Sequence, residues 1–301
     1  MIEIRRILCP TDFSEFSERA LRYATVLARW YESQIEALHV VQQMLPHGDA
    51  TPMVPSWSLL NPDICAKLRE RLNEFVAPVA ELGIDAVVAV KEGDAAGEIL
   101  REATAQKTDL VVMGTHGRGG FQHLVLGSVA EKVLRRCACP VLTVPRAAPD
   151  ETHALPFKRL LCPVDFSEAS NQALRYALSL AQESNAELLL LHVLEALPEA
   201  DPLASSVVFD LGAYRRALEE SALTRLRALV PEEARTWCKP VEVIGRGKAY
   251  HEILRVCAER AVDLVVMGVQ GRGALDLALF GSTTHHVIRA GTCPVLTLRA
   301  V

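Results

Sequence analysis

The sequence predicts an α/β protein of two tandem, doubly wound domains, each built on a five-stranded parallel sheet. Three observations predict it. One residue plan occurs twice along the 301-residue chain. Inside each copy, short apolar runs alternate with segments of helical periodicity, as βαβ units require. Each copy also carries a glycine-spaced loop after its fourth apolar run.

The repeat comes first, because a missed repeat misassigns the whole fold. Leu8-Cys-Pro-Thr-Asp-Phe-Ser-Glu15 recurs as Leu161-Cys-Pro-Val-Asp-Phe-Ser-Glu168. Ala20-Leu-Arg-Tyr-Ala24 recurs as Ala173-Leu-Arg-Tyr-Ala177, and Leu38-His-Val40 as Leu191-His-Val193, all at the same offset. One residue further out of step, Asp109-Leu-Val-Val-Met-Gly114 recurs as Asp263-Leu-Val-Val-Met-Gly268, and Cys139-Pro-Val-Leu-Thr143 as Cys293-Pro-Val-Leu-Thr297. The period is too long for a solenoid unit and marks a domain duplication. We place the domains at 1–147 and 156–301, with the Pro-, Ala- and acid-rich stretch Pro145 to Pro156 as linker.

Within the first copy, Ile4 to Cys9 is a buried strand ending at Pro10. A helix follows with Leu21, Ala24, Leu27 and Tyr31 on one face. Ile35 to Val41 is the second strand, and a polar, Pro-rich excursion (Gln42 to Trp57) leads to a helix from Pro62 to Leu82. Ile84 to Val90 is the third strand, and Ala95 to Gln106 the next helix. Leu110 to Met113 is an unbroken apolar run, as a strand covered on both faces requires. Gly127 opens the last helix and Val141 to Val144 is the fifth strand. The second copy repeats this order.

Composition narrows the class. Half the residues are hydrophobic and 23% are charged, the balance of a globular protein with real cores. A net charge of −5 argues against a surface built to neutralise nucleic-acid phosphates. No run reaches the ~18 apolar residues of a membrane span. The opening MIEIRRILCP lacks a secretory h-region, so the chain reads as cytoplasmic. The cysteines read as small buried hydrophobes. Cys137-x-Cys139 is a metal or redox fragment in form, but it has no partner pair at zinc-site spacing.

In an open parallel sheet, ligands bind beyond the carboxyl ends of the strands where the winding reverses. The loop after strand four runs Gly114-Thr-His-Gly117-Arg118 and, nine residues beyond Gly117, reaches Gly127-Ser128. Its counterpart runs Gly268-Val-Gln-Gly271-Arg272 and reaches Gly281-Ser282. Glycines let backbone amides approach phosphate oxygens. Ser128 and Ser282 are placed to cap helices whose N-termini attract anions. Arg118 and Arg272 either reach outer phosphates or are solvated loop arginines. After strand one, Asp12 and Asp165 either contact a ligand or its metal, or cap the next helix. Val40 and Val193 either flank a base or belong to the core. His39 and His192 read as satisfied structural histidines. His285-His286, aligned against Ala130-Glu131, receives no role.

On these residues the chain resembles the universal stress protein family in a tandem form. The resemblance rests on Gly-x2-Gly-x9-Gly-Ser/Thr, matched in both halves, on Pro-x-Asp-Phe-Ser and on Cys-Pro-Val-Leu-Thr. It spans nearly the whole chain except the linker and the segments near 42–60 and 195–210. It implies an adenine-nucleotide alpha-hydrolase-like fold with strand order 3-2-1-4-5, which sets both loops on one crevice. It implies that Asp12 and Asp165 contact a nucleotide, with Pro10, Thr11, Pro163 and Val164 lining the pocket and Val40 and Val193 meeting the base. Met113, Gly114, Met267 and Gly268 would begin the phosphate segment. Gly117, Gly127, Ser128, Gly271, Gly281 and Ser282 would hold ribose and phosphates. The ligand would be ATP, or ADP or AMP, with Mg²⁺ held indirectly at Asp12 and Asp165. Members dimerise through the last strand, so Val141 to Val144 and Val295 to Leu298 are expected to pair internally, and a homodimer is a further option. Thr115-His116 becomes Val269-Gln270, so the two sites are not equivalent.

The leading expectation is a nucleotide-dependent stress-response protein whose occupied conformation a protein partner recognises. No P-loop Gly-Lys-Ser/Thr and no paired catalytic carboxylates stand in the sequence, so no catalytic residue is assigned. A slow Mg²⁺-dependent ATPase or phosphotransferase, and a nucleotide-independent scaffold, are the alternatives.

Overall fold

A computed structural model describes residues 2–42, 62–117, 126–148, 157–194, 210–238, 240–270 and 280–299. The chain divides into two compact units, Glu3–Pro156 and Phe157–Ala300, here domains 1 and 2. Domain 1 runs β1 (Arg6–Pro10), α1 (Glu15–Tyr31), β2 (Gln34–Val41), α2 (Pro62–Glu81), β3 (Ala86–Glu92), α3 (Ala95–Ala105), β4 (Leu110–Gly114), α4 (Ser128–Arg136) and β5 (Val141–Val144). Domain 2 runs β6 (Arg159–Pro163), α5 (Glu168–Ser184), β7 (Glu187–Leu194), α6 (Leu211–Leu229), β8 (Val241–Arg246), α7 (Ala249–Glu259), β9 (Leu264–Gly268), α8 (Ser282–Ala290) and β10 (Val295–Leu298), with a short 3₁₀ turn at Glu233–Thr236.

Every strand pair within a domain is parallel. The order is β3-β2-β1-β4-β5 in domain 1 and β8-β7-β6-β9-β10 in domain 2. Both are the 3-2-1-4-5 order, with the winding reversal between the first and fourth strands. The reason is legible in the strands themselves. β4 is buried at every residue, and Leu8, Ile35 and Leu38 of β1 and β2 are fully buried. Such strands must be covered on both faces, which crossover helices achieve. Among the described residues no helix is long and apolar enough to cross a membrane.

Local chemistry sets the ends of the elements. Ser14 and Ser167 cap α1 and α5, each accepting from the N–H three residues on. The third strand starts at Ala86, not Ile84, because the turn closing α2 uses Gly83 at φ +76° and bonds the Ile84 N–H back to Val79. The first strand likewise occupies Arg6–Pro10 instead of Ile4 to Cys9. The Gln42 to Trp57 excursion and the Pro145 to Pro156 linker lie largely outside the described residues.

The two domains differ under the β2–β3 edge. In domain 1, Lys91 of β3 lies 3.0 Å from Glu102 of α3, which is buried and also accepts from Gln106 at 2.9 Å. Glu36 of β2 is half-buried near them. By strand register and helix position, domain 2 has Leu189, Gly245 and Val256 at these places. Burial, then the neighbouring Glu102 carboxylate, pushes Glu36 up to about 7, against the pull of Lys91 and Arg6. Burial alone would raise Glu102 too, but hydrogen bonds from Gln106 and Lys91 outweigh it and hold its pKa low.

Glu36 therefore binds its proton more tightly in the folded chain than in the unfolded one. Its contribution to stability is complete below the ordinary value of 4.5 and is lost as pH rises through about 7. Glu102 acts in a separate window below 4.5, where its lowered pKa costs stability as pH falls. Thermal melting of the full chain should lose stability in domain 1 between about pH 5 and about pH 8, and Glu36→Gln should flatten that slope. An unchanged slope in the variant would show that Glu36 does not titrate there.

Candidate functional site

β1 and β4 pair directly, Ile7 with Leu110 and Leu8 with Val111, so the loops after both open on the same end of the sheet. The Thr11 N–H donates to the Leu38 carbonyl at 2.8 Å, and the Thr11 hydroxyl accepts from the Phe13 N–H at 2.9 Å and donates to Ser17 Oγ at 3.0 Å. Asp12 Oδ1 accepts from the Ser14 N–H at 3.1 Å and the Ser14 hydroxyl at 2.6 Å. Ser14, not Asp12, is the helix cap, which removes capping as the explanation of the carboxylate. In domain 2, Asp165 Oδ1 accepts the Ser167 N–H at 3.0 Å in the same manner.

Asp12 Oδ2 meets the second loop. A Cβ placed on Gly117 would lie 2.7 Å from it. A side chain at 117 would force the end of the Asp12 carboxylate to shift, so the carboxylate and the loop backbone are in direct contact. This contact joins the two strand-end loops into one cradle.

In both domains the loop after the first strand carries a strained backbone. Phe13 sits at φ +61° and Phe166 at φ +63°, in the left-handed region. A bulky residue there is an outlier costing about 1–3 kcal/mol unless its surroundings hold it. The surroundings are the same twice. The His39 ring packs 4.6 Å from Phe13 and the Arg71 guanidinium 4.1 Å from its centre. His192 packs 4.6 Å from Phe166 and Arg225 lies 3.8 Å from it. His39 Nδ1–H donates to the Thr11 carbonyl at 2.8 Å, and His192 Nδ1–H to the Val164 carbonyl at 2.7 Å. The structural reading of both histidines holds: each ties the residue before the aspartate. Arg71, Arg225 and the Phe conformation were not foreseen. The signal was available, since each recurs in the second copy.

The other loop closes on its own stem. The Thr115 N–H donates to Val144 at 3.1 Å, and the Gly127 N–H to the Thr115 carbonyl at 2.9 Å. In domain 2, Val269 donates to Leu298 at 2.8 Å and Gly281 to Val269 at 3.0 Å. Here the expectation for Ser128 and Ser282 needs correcting. The caps are Gly127 and Gly281, which offer no side-chain hydrogen bond, and the serines are the exposed first residues of the helices. With no oxygen side chain at the cap, the first-turn N–H groups keep their donor capacity and the positive end of the dipole.

The remaining site residues fall as follows. Thr11 and Val164 are buried, while Pro10, Pro163, Val40 and Val193 are half-buried at the ends of β1, β6, β2 and β7. Met113 and Met267 are buried in β4 and β9. Gly114 and Gly268 face the helices after β1 and β6: a Cβ on Gly114 would lie 3.1 Å from the Phe16 carbonyl, and one on Gly268 within 2.9 Å of Ala169 backbone. Arg118, Gly271 and Arg272 lie outside the described residues. Among the described residues no group of three or more His, Cys, Asp or Glu gathers to hold a metal directly.

The sites differ where the sequence says they should. Thr115 is buried and lies 2.9 Å from His116 Nδ1, and the His116 ring packs 5.6 Å from Phe16. Domain 2 places buried Val269 and Gln270 there. The helix starts also correct one alignment: His285 and His286 stand opposite Glu131 and Lys132. His286 stacks on Tyr250 at 4.5 Å, where domain 1 has a Lys132–Asp94 pair at 3.4 Å.

Two doubly wound α/β domains in tandem, each with a glycine-framed loop at its winding reversal, define the class of protein. The universal stress protein family matches residues 3–145 and 156–299, and the chain belongs to that family. Universal stress protein MJ0531 of Methanocaldococcus jannaschii is 34% identical over 145 residues, 46% of this chain and 81% of that protein. Universal stress protein Mb2028c of Mycobacterium bovis is 25% identical over 304 residues, 97% of this chain and 96% of that one. In fold, the chain is similar to a universal stress protein from Archaeoglobus fulgidus with a TM-score of 0.69 at 24% identity, covering 100% of both chains.

The packing at Gly268 is tighter than at Gly114, with contacts down to 2.8 Å against 3.0 Å. Gly268→Ala should therefore destabilise domain 2 by about 1–3 kcal/mol, and Gly114→Ala should cost domain 1 less. Denaturant unfolding of each variant measures both, and a neutral Gly268→Ala would contradict the geometry.

Proposed function

We propose that each domain binds an adenine nucleotide, ATP or its di- or monophosphate, and that occupancy sets a conformation read by a protein partner in a cytoplasmic stress response. The observation that supports this most is the contact of the Asp12 carboxylate with the Gly117 backbone at the winding reversal, beside a helix start without a side-chain cap. A side-chain-free cradle of this kind admits a phosphate chain along the loop backbone. The residues take chemically distinct parts in this reading. Asp12 and Asp165 accept hydrogen bonds from ribose or base hydroxyl and amino groups. Val40 and Val193 flank the base, while Pro10, Thr11, Pro163 and Val164 form the floor beneath it.

The phosphates lie along Gly117 and Gly127 to Ser128, and along Gly271 and Gly281 to Ser282, with Arg118 and Arg272 as partners of the outer charge. Mg²⁺ would be held with the phosphates, with Asp12 and Asp165 as its indirect protein partners. Buried Thr115 and half-buried His116 form a polar pair in domain 1 where domain 2 has Val269 and the Gln270 amide, so the two affinities differ. Association through the last strand belongs to the same reading, and sedimentation velocity measures it.

Isothermal titration with ATP, ADP and AMP, with and without Mg²⁺, should find two unequal sites per chain. Gly117→Val should remove the domain 1 site, with affinity falling about tenfold or more, a loss of about 1.4 kcal/mol or greater. Circular dichroism of the variant checks that the fold is kept. Absence of binding by all three nucleotides under both metal conditions would overturn the proposal.

A further inference from the structure

Each domain brings two thiols into contact, and it does so through different sequence positions. In domain 1, Cys137 ends α4 as its C-cap, and its Sγ lies 3.4 Å from Sγ of Cys139 at the entrance to β5. In domain 2, Cys293 holds the place of Cys139, each preceding Pro-Val-Leu-Thr. Its partner is Cys257 of α7, with which it shares a hydrogen bond. The place of Cys137 is taken in domain 2 by Gly291, the C-cap of α8, and the place of Cys257 is taken in domain 1 by Ala103 of α3. The second thiol comes from a different element in each domain, and each domain has a pair. Burial as a small apolar side chain accounts for Cys9 and Cys162, both fully buried in their strands. It does not account for a thiol pair kept by two different routes.

We infer that Cys137 and Cys139 are a dithiol site that a small two-electron oxidant of the peroxide class converts to a disulfide, with Cys257 and Cys293 as the more enclosed counterpart. Exposure assigns the order of events in domain 1. Cys139 is half-buried, whereas Cys137 is 3% exposed. The Cys139 thiolate attacks one oxygen of hydrogen peroxide, the O–O bond breaks, and the departing hydroxide takes a proton and leaves as water. Cys139 is then a sulfenic acid. Cys137, losing its proton, attacks Cys139 Sγ and expels hydroxide, which leaves as a second water. Two thiols and one peroxide give one disulfide and two waters.

The sulfurs close from 3.4 Å to about 2.05 Å. The Cys137 hydrogen bond, then burial, raises the Cys139 pKa, so the reaction draws on a minor thiolate and is slower than at an activated cysteine. A disulfide bridging one intervening residue is strained, and strained, accessible disulfides are the easily reduced ones.

The test treats the reduced full chain with hydrogen peroxide, alkylates remaining thiols after denaturation and digests with trypsin. The peptide Cys137–Arg146 carries both sulfurs. It is expected to appear two hydrogens lighter and unalkylated, to regain both alkyl groups when dithiothreitol precedes alkylation, and to lose the lighter form in Cys137→Ser. Cys139→Ser, made separately, should leave Cys137 alkylated and unoxidised. Half-buried Cys65 of α2 reports that oxidant reached the protein. If Cys65 is oxidised while the Cys137–Arg146 peptide stays doubly alkylated, or if the peptide carries only sulfinic and sulfonic acids, the inference is overturned.

Discussion

In each domain the first and fourth strands are distant in sequence but pair directly, and the whole mouth of the sheet is arranged around that adjacency. Because both strands run the same way, their following loops emerge together, and the crossover helices leave to opposite faces. In domain 1 the Asp12 carboxylate of one loop thus meets the Gly117 backbone of the other, with no room for a Cβ unless the carboxylate moves. Moving either strand one place in the order would separate these groups by a strand spacing, about 4.8 Å.

The aspartate loop is held against its own preference. A phenylalanine in left-handed conformation would relax if released, and three contacts prevent it: a histidine ring, an arginine from the second helix, and a hydrogen bond from that histidine to the neighbouring carbonyl. The second domain builds the same arrangement from Phe166, His192, Arg225 and Val164. Strain of this kind persists only where surrounding packing over-determines the backbone. It also links the second helix to the site loop by direct contact.

Much of this was legible in the residues. The duplication, the order of elements and the two strand-end loops followed from self-similarity, apolar periodicity and glycine spacing, which are local signals. The start of the third strand was displaced because hydrogen bonding in the turn at Gly83, not hydropathy, decides where that strand begins. The serines after Gly127 and Gly281 were misjudged as caps, since sequence gives the residue type favoured at a helix start but not which residue carries the non-helical backbone. The contacts of Arg71 and Arg225, and the exchange of thiol partners between Cys137 and Cys257, depend on tertiary neighbours that no window of sequence contains.

Fusion of the two copies has a consequence for how they can change. When two identical subunits associate, every substitution is expressed twice, and any cost is doubled with it. Joined in one polypeptide, each copy mutates alone. The trio Glu36, Lys91 and Glu102 against Leu189, Gly245 and Val256 records that freedom. One half carries a partly buried charge cluster in which burial and Glu102 raise the Glu36 pKa to about 7, while the other has leucine, glycine and valine at the same positions. A covalent pair can thus divide labour by drift, holding a steadfast half beside an adjustable one.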